Sequence, residues 1–73
     1  MVEQTREGPP VEYDGYVIQK MSLRFETDQG LTPPRYEYHV LEWDSTHSYT
    51  IHLTTRLTLD EAKAFIDERG REN

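Results

Sequence analysis

The sequence predicts an α+β fold in which three antiparallel strands form a meander and one C-terminal α-helix packs on one face of the sheet (βββα). Three observations predict this class: a long segment of alternating apolar and polar residues, two further segments rich in aromatic and β-branched residues, and a capped helical pattern near the end of the chain. A length of 73 residues suits one domain.

Residues 1–15 hold few large apolar side chains and include a glycine followed by two prolines. Because burial there offsets little of the entropy lost on ordering, we expect a flexible N-terminal tail. A terminal strand that begins near Val11 is the alternative. The single βββα domain is then expected over residues 16–70, with a disordered C-terminus over residues 71–73.

The first predicted strand, Tyr16–Thr27, has the period-2 pattern of a half-buried strand. Tyr16 and Ile18 share the even, outward-facing parity of the polar residues in this strand. The apolar residues of odd parity, which are expected to face the core, are Val17, Met21, Leu23 and Phe25.

The second and third predicted strands are Arg35–Trp43 and Ser48–Thr54, because both are rich in aromatic and β-branched residues. A segment with one glycine and two prolines separates the first strand from the second, and residues 44–47 form the next turn.

The register of the second strand is open between two alternatives. A turn of five residues places Leu41 and Trp43 in the core and leaves Tyr36, Tyr38 and Val40 outside, whereas a turn of four residues reverses the two sides. A β-bulge near Val40 and Leu41 would bury parts of both sets. Either register leaves aromatic surface that a single helix does not cover.

The helix is predicted over Leu59–Arg69. Thr58 and Glu61 have the spacing of a capping box, Leu57 is placed to contact the first helical turn as a hydrophobic staple, and Gly70 is expected to end the helix. The stripe expected to face the sheet contains Leu59, Ala62, Phe65, Ile66 and the stem of Arg69.

Uncovered aromatic surface on a small protein predicts an interface with a partner, since Trp, Tyr and Arg dominate interface energetics. A solvent-facing sheet stabilised by cross-strand pairs is the alternative. The candidate partner-binding residues are Tyr16, Ile18, Arg24, Tyr36, Tyr38, His39, Leu41, Trp43 and His52.

The charge balance indicates the kind of partner. Fourteen acidic and eight basic residues give a formal charge of −6, which repels phosphate backbones and favours a protein with a basic surface. A phage-type inhibitor or a regulatory subunit would have these properties, and homodimerisation through the sheet face or an edge strand is a further form of the same prediction.

A sheet that binds nucleic acid is the alternative function. The predicted layout is similar in topology to arm-type integrase and ERF-like domains, which read DNA with a sheet. Lys20, Arg24, Arg35 and Arg56 would flank the outward aromatic residues in that case.

The residues indicate no enzyme, cofactor or metal site. The chain has no cysteine, its serines lack a glycine elbow, and its isolated glycines form no phosphate-binding loop. His39 and His52 are expected to approach each other on neighbouring strands, with Glu37 or Asp44 nearby, but the spacing of typical metal ligands is missing. No signal-peptide pattern or membrane span is evident, so a cytoplasmic protein is expected.

Overall fold

The computed structural model of the protein describes residues 2–71 and has a six-stranded antiparallel sheet with one helix. The strands are β1 (Val2–Arg6), β2 (Val11–Tyr13), β3 (Tyr16–Thr27), β4 (Gly30–Leu31), β5 (Arg35–Asp44) and β6 (Tyr49–Arg56), and the helix is α1 (Leu59–Arg71). The strand order is β1-β3-β5-β6, with β2 and β4 also pairing to β3. The α+β class and the C-terminal helix are confirmed, whereas the prediction of three strands is wrong.

Two of the additional strands lie in residues 1–15, where the sequence predicted a tail. Tyr13 pairs with Tyr16, and the two residues between them, Asp14 and Gly15, have positive φ angles of 50° and 85°. This is the backbone of a tight hairpin turn, for which Asp-Gly is a strong signal. The alternative of a terminal strand from Val11 is therefore confirmed.

The β1 and β2 strands follow the same edge of β3, and the chain bulges outward between them. Residues 7–10 of this bulge lie opposite only Gln19 and Lys20 of β3. The side-chain amide of Gln19 donates hydrogen bonds to the carbonyl oxygens of Gly8 at 3.2 Å and Lys20 at 3.0 Å. Gln19 is buried, so the glycine and prolines that predicted disorder instead form an anchored bulge within one edge.

The core lies between α1 and the two central strands. Ile18 of β3 pairs with Val40 of β5, and both side chains pack with Ala62 and Ile66 of the helix. All four residues are at most 1 % exposed. The predicted helix stripe is thus confirmed at Leu59, Ala62, Phe65 and Ile66. The predicted outward parity of Ile18 is wrong, because the helix covers the even side of β3.

The turn between β5 and β6 explains this choice of side. One carboxylate oxygen of Asp44 accepts hydrogen bonds from the backbone N–H groups of Thr46 and His47, and Ser48 has a φ of 56°. Asp44 then pairs with Tyr49, which is the four-residue alternative. The expected bulge is present at Val40/Leu41.

In that register, the even-numbered residues of β5 share one side of the sheet with the apolar residues of β6. Glu42 pairs with Ile51, and the extra β6 residue at the bulge, Leu53, packs against the core. Leu41 instead pairs with His52 on the opposite side of the sheet. The helix therefore covers the side on which β6 supplies Leu53 to the core, while Ile51 on the same side stays 37 % exposed.

The helix begins as the capping box predicts. The Thr58 hydroxyl accepts a hydrogen bond from the Glu61 N–H, and the Thr58 carbonyl accepts one from the Ala62 N–H, both at 3.1 Å. The expected staple is not formed, because Leu57 remains 73 % exposed.

The helix does not end at the predicted residue. It passes through Gly70 and includes Arg71, because glycine permits a left-handed conformation without requiring it. The predicted disordered C-terminus lies outside the described residues except for Arg71. Within residues 2–71, α1 is too short and too polar to span a membrane.

Candidate partner-binding face

The side of the sheet opposite the helix is called the open face. Val17 pairs with Leu41, one position along from the core pair Ile18 and Val40, and side chains alternate between the two sides of a strand. The same parity, followed across β1, β3 and β5, defines the apolar members of this face. They are Val2, Val17, Met21, Leu23, Phe25, Leu41 and Trp43.

The open face combines half-buried and exposed apolar groups. Val17, Met21, Leu23 and Leu41 are half-buried by their neighbours in the sheet. Phe25 is 40 % exposed and Trp43 is 55 % exposed. Phe25 lies beside Val2 and Leu23, and Trp43 lies beside Leu41, so the exposed rings belong to two apolar clusters at opposite ends of the open face.

A polar strip crosses the open face at the two histidines. The His39 and His52 rings meet edge to face with their centroids 5.0 Å apart. One nitrogen of His39 lies 2.6 Å from a Glu37 carboxylate oxygen, and one nitrogen of His52 lies 2.9 Å from the Thr55 hydroxyl. The expected approach of the histidines is confirmed with Glu37 as the neighbouring carboxylate.

Asp44 lies beside a different histidine. Its second carboxylate oxygen is 2.9 Å from a ring nitrogen of His47. The hydrogen bond from His47, followed by the backbone bonds from Thr46 and His47, lowers the pKa of Asp44 against an opposing effect of desolvation. Across residues 2–71, no three His, Asp or Glu side chains are arranged to hold a metal ion.

The nine predicted partner-binding residues fall on both sides of the sheet. The helix-covered side has Tyr16, Ile18, Arg24, Tyr36 and Tyr38, whereas the open face has His39, Leu41, Trp43 and His52. Ile18 is only 1 % exposed and is inaccessible to a partner in this fold. The predicted set therefore does not form one surface, because it includes residues of both parities of β5, whose register the sequence left open.

Four open-face residues were instead assigned to the core by the sequence pattern. They are Val17, Met21, Leu23 and Phe25. The signal that places them outside is the turn after β5, where Asp44 is followed by residues able to form a four-residue loop. A prediction of the four-residue turn after Asp44 would have fixed the register of β5 and β6. That register determines which side of the sheet receives the apolar residues of β6.

The charges of the open face are balanced. By strand parity it carries Arg6 and Arg35 together with Glu12 and Glu37. The surplus of acidic residues therefore lies on the rest of the surface.

The four basic residues considered for nucleic-acid binding do not share one side. Arg35 is on the open face, whereas Lys20, Arg24 and Arg56 have the parity of the helix-covered side. Lys20 lies 4.4 Å from the centre of the Tyr36 ring, and Arg56 lies 5.2 Å from that of Phe65. The structure thus gives no clustered basic patch from these four residues.

A cleft of about 670 Å³ lies at the end of the open face near the β2–β3 hairpin. Continuing the pairing of Val17 with Leu41 places Gly15 opposite Trp43. Because glycine has no side chain, the space beside the indole is not filled from the neighbouring strand. The residues that line the cleft are Glu12, Tyr13, Asp14, Gly15, Tyr16, Val17, Trp43 and Thr50.

The hairpin at this cleft is held to the helix on the other side of the sheet. The Tyr13 hydroxyl donates a hydrogen bond to Asp67, and Arg69 donates one to the Tyr16 hydroxyl at 3.3 Å. The hydrogen bond with Asp67, followed by desolvation and the nearby negative charges, raises the pKa of Tyr13. These contacts hold the hairpin from the helix-covered side of the sheet. Glu12 of the same hairpin lies on the open face.

No protein-family model matches the chain, and neither the curated proteins nor the solved structures compared with it give a significant match.

Proposed function

We propose that the chain is a small, acidic, non-catalytic protein-binding module of the cytoplasm that docks through its open face onto a protein with a basic surface. The observation that supports this proposal most directly is the apolar surface at both ends of the open face, with Phe25 exposed at one end and Trp43 at the other. Tryptophan in particular is enriched among the side chains that dominate binding energy. An inhibitor or a regulatory subunit is the class of protein that this surface suits.

The distribution of charge supports a basic partner. The open face carries as many basic as acidic residues, so the formal charge of −6 arises elsewhere on the molecule. A surrounding acidic surface accelerates encounter with a basic protein, and the exposed apolar groups of the open face hold the complex after contact. Affinity and association rate are then expected to depend differently on salt.

The test compares variants of the open face with a variant elsewhere. Proteins that bind the immobilised chain are identified by cross-linking and mass spectrometry, and the affinity of each purified candidate is measured. We expect Trp43→Ala to weaken binding about tenfold or more, because truncating an aromatic residue that anchors an interface costs about 2 kcal/mol or more. Leu57→Ala, which removes another exposed apolar side chain, is the control and should bind as the unmodified protein does.

Folding is checked separately so that loss of binding is not confused with loss of structure. Tyr38 packs against the core, so Tyr38→Ala should destabilise the fold, whereas Trp43→Ala should retain the circular dichroism spectrum of the unmodified protein. Folded Trp43→Ala and Phe25→Ala variants that bind with unchanged affinity would contradict the open face as the docking site. An association rate that ignores ionic strength would contradict the basic partner.

A further inference from the structure

We infer that the cleft beside Trp43 binds the guanidinium group of an arginine side chain on the partner protein. This inference rests on the proposed function, because it names the group that the open face would take from a basic partner. It depends on three features of the cleft, which are the bare indole, an uncompensated carboxylate, and the distance to the cations of the open face.

The indole is bare because of the strand pairing. Gly15 stands opposite Trp43 and contributes no side chain, and a Cβ added to Gly15 would have no atom within 4 Å. Val17 lies next along β3 on the same side and supplies an apolar part of the lining. A flat group can therefore lie against the Trp43 ring without displacing any part of the fold.

The carboxylate is Glu12. It pairs with Val17 across β2 and β3, which places both residues on the open side. No salt bridge among residues 2–71 includes Glu12, and its side chain accepts no hydrogen bond within that range. Asp14 also lines the cleft, but its carboxylate lies toward the helix at Gly70.

The cations of the open face are too far away to occupy the cleft. Arg6 is opposite Met21, and Arg35 is opposite Leu23. At about 3.3 Å per residue, Met21 lies about 13 Å along β3 from Val17, and Leu23 lies farther still. The end of the open face that holds Trp43 thus carries Glu12 without a cation, whereas the other end carries both arginines together with Glu37.

The other side of the sheet shows the same chemistry with partners in place. Three aromatic rings there have a basic group near their centres: Tyr36 with Lys20, Tyr13 with Lys63 at 5.5 Å, and Phe65 with Arg56. Trp43 has no such partner within the described part of the chain, although tryptophan binds cations more strongly than tyrosine or phenylalanine does.

A guanidinium suits this cleft better than an ammonium. It is planar, so it stacks on the indole, and its donors form a fork that matches a carboxylate such as that of Glu12. An ammonium would have the charge but neither the flat contact nor the two parallel hydrogen bonds.

The experiment uses the intact chain and two small probes. Blocked arginine, N-acetyl-arginine N-methylamide, is titrated into the protein, and blocked citrulline, which has nearly the same shape without the charge, is titrated in parallel. Trp43 is the only tryptophan, so its fluorescence reports on the cleft directly, and the backbone amide shifts of Glu12 and Gly15 report independently. We expect a saturable response to arginine, with a dissociation constant on the order of millimolar, and none to citrulline.

Matched variants test whether arginine binds at the cleft. Glu12→Gln should weaken arginine binding about two- to fivefold, the change expected from an exposed ionic contact. Glu26→Gln removes the same charge from the helix-covered side and should leave binding unchanged. Trp43→Leu should abolish the amide shifts caused by the probe. Equal responses to arginine and citrulline, or equal effects of Glu12→Gln and Glu26→Gln, would overturn the inference.

The outcome is separable from that of the proposed function. A partner that binds the open face with no dependence on Glu12 would sustain the docking proposal and reject the arginine site. Arginine binding by the cleft, without any protein that binds the open face, would sustain the site and reject the docking proposal.

Discussion

The hydroxyl of Tyr13 donates a hydrogen bond of 2.8 Å to a carboxylate oxygen of Asp67, across 54 positions of sequence. It links the β2–β3 hairpin to the third turn of the helix. Lys63 lies over the same tyrosine ring, so one side chain of the hairpin contacts two residues of α1. The hairpin and the helix are thus held together at the end of the sheet, beyond the buried core.

This contact predicts a late-titrating tyrosine. The folded state raises the pKa of Tyr13 above its usual value of 10.0, so the contact stabilises the fold fully below that pH and the contribution is lost as the pH rises through the higher folded value. Tyrosinate absorbance should show one phase displaced to high pH, which Tyr13→Phe removes. Tyr36→Phe, which removes a hydroxyl with no described hydrogen bond, should leave that phase in place.

Asp44 provides a prediction at the acidic end of the pH range. Its folded pKa is lowered, chiefly by the hydrogen bond from His47. The stability it contributes is therefore complete above its unfolded pKa and is lost as the pH falls through the folded value. In a carbon-detected NMR titration, His47→Ala should raise the pKa of Asp44, whereas His52→Ala should not. An unchanged Asp44 titration in His47→Ala would contradict the assigned contact.

Gln19 should control how readily the N-terminal edge opens. Gln19→Ala removes both hydrogen bonds of a buried amide and is expected to cost about 1–3 kcal/mol. Hydrogen exchange at the Glu7 amide, which bonds to the Lys20 carbonyl, should accelerate more than exchange in the centre of β5. Gln29→Ala, in an exposed turn, is the control. Equal acceleration in both variants would remove any special role for Gln19.

Ile66 tests how much of the fold depends on the helix. Ile66 is fully buried, and Ile66→Ala should cost about 2–5 kcal/mol, a large part of the roughly 4–11 kcal/mol expected for a domain of 73 residues. Ile66→Val should cost about 1 kcal/mol and remain folded for a urea titration. Leu57→Ala should stay within about 0.5 kcal/mol of the unmodified protein. Similar losses in Ile66→Val and Leu57→Ala would contradict the assigned core.

Local patterns predicted the elements that depend on local chemistry. The bounds of β3, the cap at Thr58 and the stripe containing Ala62 and Ile66 all follow from periodicity or from side-chain hydrogen bonding within a few residues. The hairpin at Asp14 and Gly15 belongs with them, since its turn residues are in the sequence, although the few large apolar side chains and the preceding prolines argued for a tail.

The side of the sheet that the helix covers could not be obtained in the same way. Both parities of β3 carry apolar residues, and Ile18 belongs to the parity with the fewer of them. The decision depends on β6, whose Leu53 packs against the core on the side set by the pairing of Asp44 with Tyr49. That is a contact between strands, and alternation within one strand contains no information about it.

The placement of half the core on the helix also affects how the protein is made. Ala62 and Ile66 leave the ribosome after every strand has been synthesised, so a nascent chain without them presents the Ile18 and Val40 side to solvent as well as the open face. Strand pairing can begin early, but the sheet gains its buried layer only when the helix arrives. A product truncated before Leu59 would therefore retain every strand and expose apolar surface on both sides, which makes it a substrate for chaperones and proteases.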